Sequence, residues 1–190
     1  MQKWFDTFET VVIKNENVLP ENLYNMDESG FSIGTINAGR VIINTQIDQR
    51  YQVNPGRQEW VSVLKCISIN GTSISTIIIF KGEKLLTNWV PPGLPKDWVM
   101  ICNTKGWTSN EHGLAWLEQV FEPRMREKAQ GRPHVLTCDE HESHITSRFI
   151  RHCMNNNIKL LILPPHSSHF TQPLDIGIFS LLKYYLSAEL

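Results

Sequence analysis

The chain has 190 residues, 41% of them hydrophobic and 19% charged, with a formal net charge of −1. That length and balance suit one globular domain with a sizeable core and exclude an intrinsically disordered chain. They also argue against DNA binding through overall charge alone, because phosphate affinity is carried by surplus Lys and Arg; a local basic patch stays open.

Residues 1 to 19 carry Trp4, Phe5, Phe8 and Val11 or Val12 at helical spacing, and Pro20 with Asn22 marks the end of that helix. Leu23 to Met26 reads as a short strand entering an acidic turn at Asp27 and Glu28. "GRVIINTQ" (39–46) and "EWVSVLKCISIN" (59–70) read as strands. "NGTS" (70–73) is a hairpin signal joining the latter to "ISTIIIFKG" (74–82). "VPPGLPKD" (90–97) is a loop. The clearest helix is 106–131: Thr108 with Glu111 fits a capping box, and Leu114, Leu117, Phe121 and Met125 form one apolar stripe that Trp116 and Val120 widen. "GRP" stops it. "HVLTC" (134–138) is a buried strand ending in an acidic turn. Residues 143–157 form a helix with Ser143 as N-cap, and "IKLLILPP" (158–165) is another buried strand. "HSSHFTQPLD" (166–175) is a loop, and 175–190 is a closing helix with Asp175 near its start.

An antiparallel meander followed by alternating helices and strands predicts an α/β fold, a mixed sheet covered by helices. The cysteines, Cys66, Cys102, Cys138 and Cys153, form no C-x-x-C pair, and the first residues carry no apolar secretory run, so free thiols in a reducing compartment are expected. No apolar run is long enough to span a bilayer, so no membrane partner is expected.

Three aspartates share one setting. Asp27 follows the first strand, Asp139 follows the strand over 134–138, and Asp175 opens the last helix after the loop that leaves the strand over 158–165. If those three strands lie side by side, the acids converge where ligands of open α/β sheets gather. Converging carboxylates repel one another unless a cation neutralises them. Mg²⁺ suits such a site, and two ions can clamp both oxygens of an in-line phosphoryl displacement. Taken singly, each acid reads as a cap or turn residue before it reads as a ligand.

The histidines admit other readings. His141 and His144 stand three apart, one residue short of the H-E-x-x-H zinc-protease spacing. Cys138, His141 and His144 with His166 or His169 form a zinc ligand set by type. Alternatively His141 and His144 line the acidic site, and His166 and His169 orient the loop before Asp175 or are plain polar loop residues. Gln172 hydrogen-bonds either that loop or a substrate. Trp60, Trp89, Trp98, Trp107 and Trp116 read as packing residues, with stacking on unpaired bases as the alternative.

Four blocks, in order, carry a resemblance: "LYNMDESGFSIG" (23–34), "KGWTSNEHGLAWLEQVFEP" (105–123), "LTCDEHESHIT" (136–146) and "LLILPPHSSHFTQPLDIGIFSLLK" (160–183). Together they resemble the catalytic domain of the pogo-like branch of mariner-type transposases, DDE-superfamily endonucleases related to the jerky proteins and centromere protein B. The resemblance implies a ribonuclease H-like fold over 21–190 behind a helical lead-in over 1–20. It implies that Asp27, Asp139 and Asp175 are catalytic and bind Mg²⁺ or Mn²⁺, one or two ions. Asp27 and Asp175 are assigned to flank the metals and Asp139 to bridge them. Glu140, His141, His144, His169 and Gln172 are expected to line the site, and Lys183 to touch DNA phosphate or to lie on a solvated helix face. The implied substrate is DNA, transposon ends and target, cut by water and then joined through a freed 3′ hydroxyl. The implied setting is the nucleus and, for the whole protein, a homo-oligomer. Glu140 departs from the family, which usually has glycine there. The family's DNA-end recognition normally sits in N-terminal helix-turn-helix modules, which this chain is expected to begin too late to contain, and a C-terminally truncated domain is expected. A second reading is a catalytically silent remnant serving as a DNA-binding or protein-interaction module; a third is a nuclease of the same fold acting on other nucleic acids.

Overall fold

The computed structural model describes residues 2–15, 18–33 and 59–188. Six strands form one sheet: β1 (Leu23–Ile33), β2 (Glu59–Ser68), β3 (Ser73–Lys81), β4 (Val99–Asn103), β5 (His134–Cys138) and β6 (Ile158–Ile162). Their order is β4-β3-β2-β1-β5-β6. β1, β2 and β3 are antiparallel, while β4 joins β3, β5 joins β1 and β6 joins β5 in parallel. The meander and the β1-β5-β6 neighbourhood agree with the sequence pattern. The strand read over 39–46 lies outside the described residues.

Four expectations are corrected. The first strand does not stop at Met26. β1 continues through Asp27 and Glu28, which pair across from Lys65 and Leu64 in an unbroken antiparallel ladder. Asp, Glu, Ser and Gly are weak strand formers, but a partner strand supplies the hydrogen bonds that decide the matter. Second, β4 lies in a stretch that the sequence pattern left without a strand after the proline-rich loop. It is a short edge strand whose residues are only partly buried. Third, the helix cap at the central helix is Ser109, whose Oγ accepts from His112 N while the His112 ring accepts from Ser109 N. The expected Thr108–Glu111 pair sits one residue too early. Fourth, the helix after β5 starts later than expected. α4 (Ser147–Asn155) is capped by Thr146, whose Oγ1 accepts from Phe149 N at 3.2 Å, and Ser143 sits in a separate short turn over Glu142–His144.

The central helix is α2 (Asn110–Trp116), a wide turn (Leu117–Phe121) and α3 (Glu122–Ala129). Pro123 explains the wide turn. It has no N–H to return to the preceding turn, and the helix relaxes into one longer bond, Glu122 N to Leu117 O. Leu114, Leu117, Phe121 and Met125 are all buried, as their spacing predicts. With Trp116, Phe149 and Cys153 they cover one face of the sheet, which presents Tyr24, Met26, Leu64, Cys66, Leu136 and Cys138; all but Leu114 belong to one core cluster. Gln130 and Gly131 both take positive φ, which ends the helix.

The opposite face is covered by the two ends of the described chain. α1 (Gln2–Phe8) continues through a wide helical turn (Glu9–Asn15), and Val12 and Val18 pack on Leu23 and Val135. Trp4 Nε1 donates to Ile162 O at 2.7 Å, fixing α1 over the end of β6. At the other end, α5 (Ser168–Thr171) leads to a wide turn over Asp175–Phe179 and then α6 (Ser180–Ala188). Leu174 and Phe179 pack on Phe31.

Candidate acidic site

Alternation along β1 puts Asn25, Asp27, Ser29 and Phe31 on the face under the C-terminal helix. On β5 the same parity applies: Val135 belongs to the second face, whereas Leu136 and Cys138 belong to the main core. The β1–β5 ladder ends at Asn25 opposite Thr137. Two residues further along each strand stand Asp27 and Asp139, on the same face, where the strands part. Asp175 begins the helical turn laid over that face. The sheet order therefore gathers the three aspartates around one point, although Asp27 stands within a strand and not at its end.

Asp27 is 4% exposed, and its Oδ2 has no hydrogen-bond partner among the described residues. Burial pushes its carboxyl up to about 7; the negative charges of Asp175 and Asp139 push the same way, against hydrogen bonds from Gln172 and the Glu28 backbone. A buried carboxylate with an unsatisfied oxygen and two acids beside it is electrostatically incomplete. The donor set is all oxygen, which fits a hard divalent cation. Among the described residues, however, no three His, Cys, Asp or Glu side chains converge closely enough to hold a metal ion. Asp139 and Asp175 line separate clefts.

Asp139 is held by its own turn. His144 Nδ1 lies 2.9 Å from Asp139 Oδ1, and His141 N donates to the same oxygen at 3.2 Å. Burial would raise this carboxyl, but the hydrogen bond and charge of His144 and then the His141 contacts outweigh it and hold the group low. His144 is 1% exposed, so its ring is fixed by packing as well as by the bond.

The remaining expected site residues divide. Gln172 is fully buried and reaches the site: Nε2 donates to Met26 O at 3.2 Å and Oε1 accepts from Asn25 Nδ2 at 2.9 Å. His141 turns to Ser143 Oγ at 2.8 Å, yet lines an open cleft with Asp139, Glu140, Pro164, Pro165, His166 and Ser168. His166 and Ser168 also line the cleft that holds Asp175. His169 belongs to α5, and its side chain lies outside the description. Glu140 is exposed and has no positive φ, so the backbone here does not require a glycine. Lys183 stands over the Phe31 ring, 5.9 Å from Nζ to its centroid.

The zinc ligand set is not assembled. Cys138 points into the main core, away from Asp139, and burial pushes its thiol well up. Asn25 was missed by sequence reasoning. Its only signal was an amide inside an otherwise apolar strand, two residues before an acid.

A family model described as DDE superfamily endonuclease matches residues 57–190. A protein of Cochliobolus lunatus named MFS-type transporter clz9 is 38% identical over 175 residues, which is 92% of this chain and 19% of that protein. Among solved structures, a pre-cleavage Mos1 transpososome superposes with a TM-score of 0.65 at 12% identity, covering 98% of this chain and 49% of that one. The Mos1 mariner paired end complex with Mn gives the same score, identity and coverage. The catalytic domain of Mos1 mariner transposase gives 0.57 at 12% identity, with 99% and 71% covered. At that identity the likeness is one of fold, and the fold is the ribonuclease H-like one. This chain thus spans about half of the transpososome chain and a fifth of the Cochliobolus protein.

Proposed function

Since this chain belongs to the DDE superfamily endonucleases, we propose that it is the catalytic domain of a pogo- or mariner-like transposase, performing metal-dependent phosphodiester hydrolysis and strand transfer on DNA. The observation that carries the reading is Asp27: a buried carboxylate with an unpartnered oxygen, beside Asp139 and Asp175. Asp27, Asp139 and Asp175 would hold one or two Mg²⁺ or Mn²⁺ ions. Mos1 structures containing Mg or Mn support that choice of ion. When bound, such ions polarise the phosphate and make water a competent nucleophile at neutral pH.

The chain's own residues have separable roles in this reading. His144 holds the Asp139 carboxylate in one orientation. Gln172 donates to Met26 O beside Asp27, whose Oδ2 stays available. Glu140, His141 and His166 stand at the mouth of the cleft that the DNA backbone must approach. Lys183, on the helix following Asp175 and over the Phe31 ring, would contact phosphate in this reading. The proposed substrates are transposon ends and target DNA in the nucleus, with assembly into an oligomer a property of the whole protein.

Cleavage of a transposon-end duplex in Mg²⁺ tests this in the full-length protein. Asp139→Asn should abolish cutting; a variant that cuts as fast as wild type would sink the assignment.

A second reading has its own observation. The described donors do not converge to metal-binding distance, and Glu140 adds negative charge at the cleft mouth. A catalytically silent module that binds DNA or protein would look like this. Calorimetry with Mn²⁺ separates the two, since absence of binding at millimolar metal favours the silent module. Transport, the activity named for the Cochliobolus protein, finds no support: the match is 19% of that protein, and among the described residues no helix is long and apolar enough to cross a membrane.

A further inference from the structure

We propose that Asn25 is a positioning residue whose carboxamide sets the spacing of the three acid-bearing segments. This rests on the phosphoryl-transfer reading, and it concerns how the carboxylates are held. Asn25 Nδ2 donates to Thr137 O at 3.2 Å and to Gln172 Oε1 at 2.9 Å. Asn25 Oδ1 accepts from Leu174 N at 3.3 Å. One side chain therefore touches all three segments. Each contact falls just before an acid: Asn25 and Thr137 each precede theirs by two residues, and Leu174 precedes Asp175 by one. Gln172 extends the clamp by donating to Met26 O, next to Asp27.

The fold needs such a device at this place. The β1–β5 ladder ends at the Asn25–Thr137 pair, so no backbone ladder governs the distance between Asp27 and Asp139. The segment carrying Asp175 belongs to no strand. Like charges drive the three carboxylates apart. A carboxamide opposes that with both N–H groups and an acceptor, adds no charge, and does not titrate. Asn25 is 8% exposed and Gln172 0%, so neither pair of bonds competes with water. An aspartate at position 25 would lose both donations and add a fourth acid. An alanine would leave Leu174 N and Gln172 Oε1 unpartnered.

The test compares Asn25→Ala, Gln172→Ala and the double variant with wild type, all confirmed folded by circular dichroism. Two measurements are made: Mn²⁺ affinity by calorimetry, and site-resolved amide hydrogen exchange without metal. A positioning role predicts about a tenfold or greater loss of Mn²⁺ affinity for Asn25→Ala, as for other groups that orient ligands. It also predicts that the double variant loses little more than either single one, because the two amides act as a unit. Exchange should quicken selectively at Leu174 and around Asp139, with the main core amides unchanged. Ser62→Ala, which removes the bond to Gly106 O at the β2 position opposite Gly30, controls for simple destabilisation. Wild-type Mn²⁺ affinity in a folded Asn25→Ala overturns the proposal, and so does unchanged exchange at Leu174. If wild type itself binds no Mn²⁺, the phosphoryl-transfer reading falls, and the exchange measurement alone decides the clamp.

Discussion

His144 Nδ1–H donates to the Asp139 carboxylate at 2.9 Å while the ring is almost completely removed from solvent. The two residues belong to one short turn after β5, and packing that fixes the ring comes from the helix that follows. Phe149 from α4 lies against His144 with ring centroids 6.2 Å apart. His144→Gln should lower Mn²⁺ affinity by about 10–100-fold, as loss of a carboxylate-orienting partner does. Calorimetry at constant pH checks it.

Asp27 makes stability pH-dependent in a sense opposite to Asp139. Its folded carboxyl lies near 7 against 3.8 when unfolded, so the unfolded chain releases its proton first. Stability of the metal-free protein therefore falls as pH rises from about 4 to about 7, by roughly 4 kcal/mol at 1.4 kcal/mol per unit. Asp27→Asn should be more stable than wild type at pH 8 by a few kcal/mol and little different at pH 4. Urea unfolding at both pH values measures this. Mn²⁺ at pH 8 should stabilise wild type and leave the variant unaffected. For Asp139, held low, the contribution is present above its unfolded value and lost as pH falls through the folded one.

Glu140 is exposed on ordinary backbone. Any effect on DNA must then come from its charge and not from conformation. Glu140→Gly and Glu140→Gln should raise affinity for a DNA duplex equally, by up to several-fold at low salt, with the gain fading as salt screens it. A gain confined to the glycine variant in fluorescence anisotropy titrations would point to backbone freedom instead.

Phe179 is fully buried and makes an edge contact with Phe31, ring centroids 6.1 Å apart. It anchors the helix that begins at Asp175. Phe179→Ala should cost about 3–5 kcal/mol. Loss of the anchor should also weaken Mn²⁺ binding in protein that remains folded. Denaturant melts and calorimetry give the two numbers.

Gly106, in "KGWT", has φ +74, and a Cβ there would stand 2.8 Å from Lys81 Cβ. Its carbonyl accepts from Ser62 Oγ at 3.0 Å, tying this loop to β2. Gly106→Ala combines backbone strain with a clash against main-chain-proximal atoms, and should destabilise by roughly 2 kcal/mol or more. Thermal unfolding at one pH and salt is the check.

Much of this architecture was readable one segment at a time. The stripe from Leu114 to Met125, the "NGTS" hairpin and the apolar strands before Asp139 and after Asn157 are local patterns, and local periodicity is what a sequence displays directly. Asp139 and Asp175 were also legible, because one follows and the other opens an element whose type was clear; Asp27 was legible only as an acid, since its strand runs on past it.

Other features depended on what comes from far along the chain. β1 passes through Asp27 and Glu28 because β2 pairs with it, which no property of "MDESG" announces. Ser109 and Thr146 displaced the expected caps because cap choice depends on the path by which the chain enters the helix. Asn25 meets Gln172 across 147 residues, and Leu174 across 149. The sequence pattern singled out three aspartates that converge if their strands lie side by side. Only the tertiary structure decided how they are held, because a hydrogen bond between distant segments follows from where the sheet and its covering helix place two backbones, and a short amide carries no periodic signal of its partner.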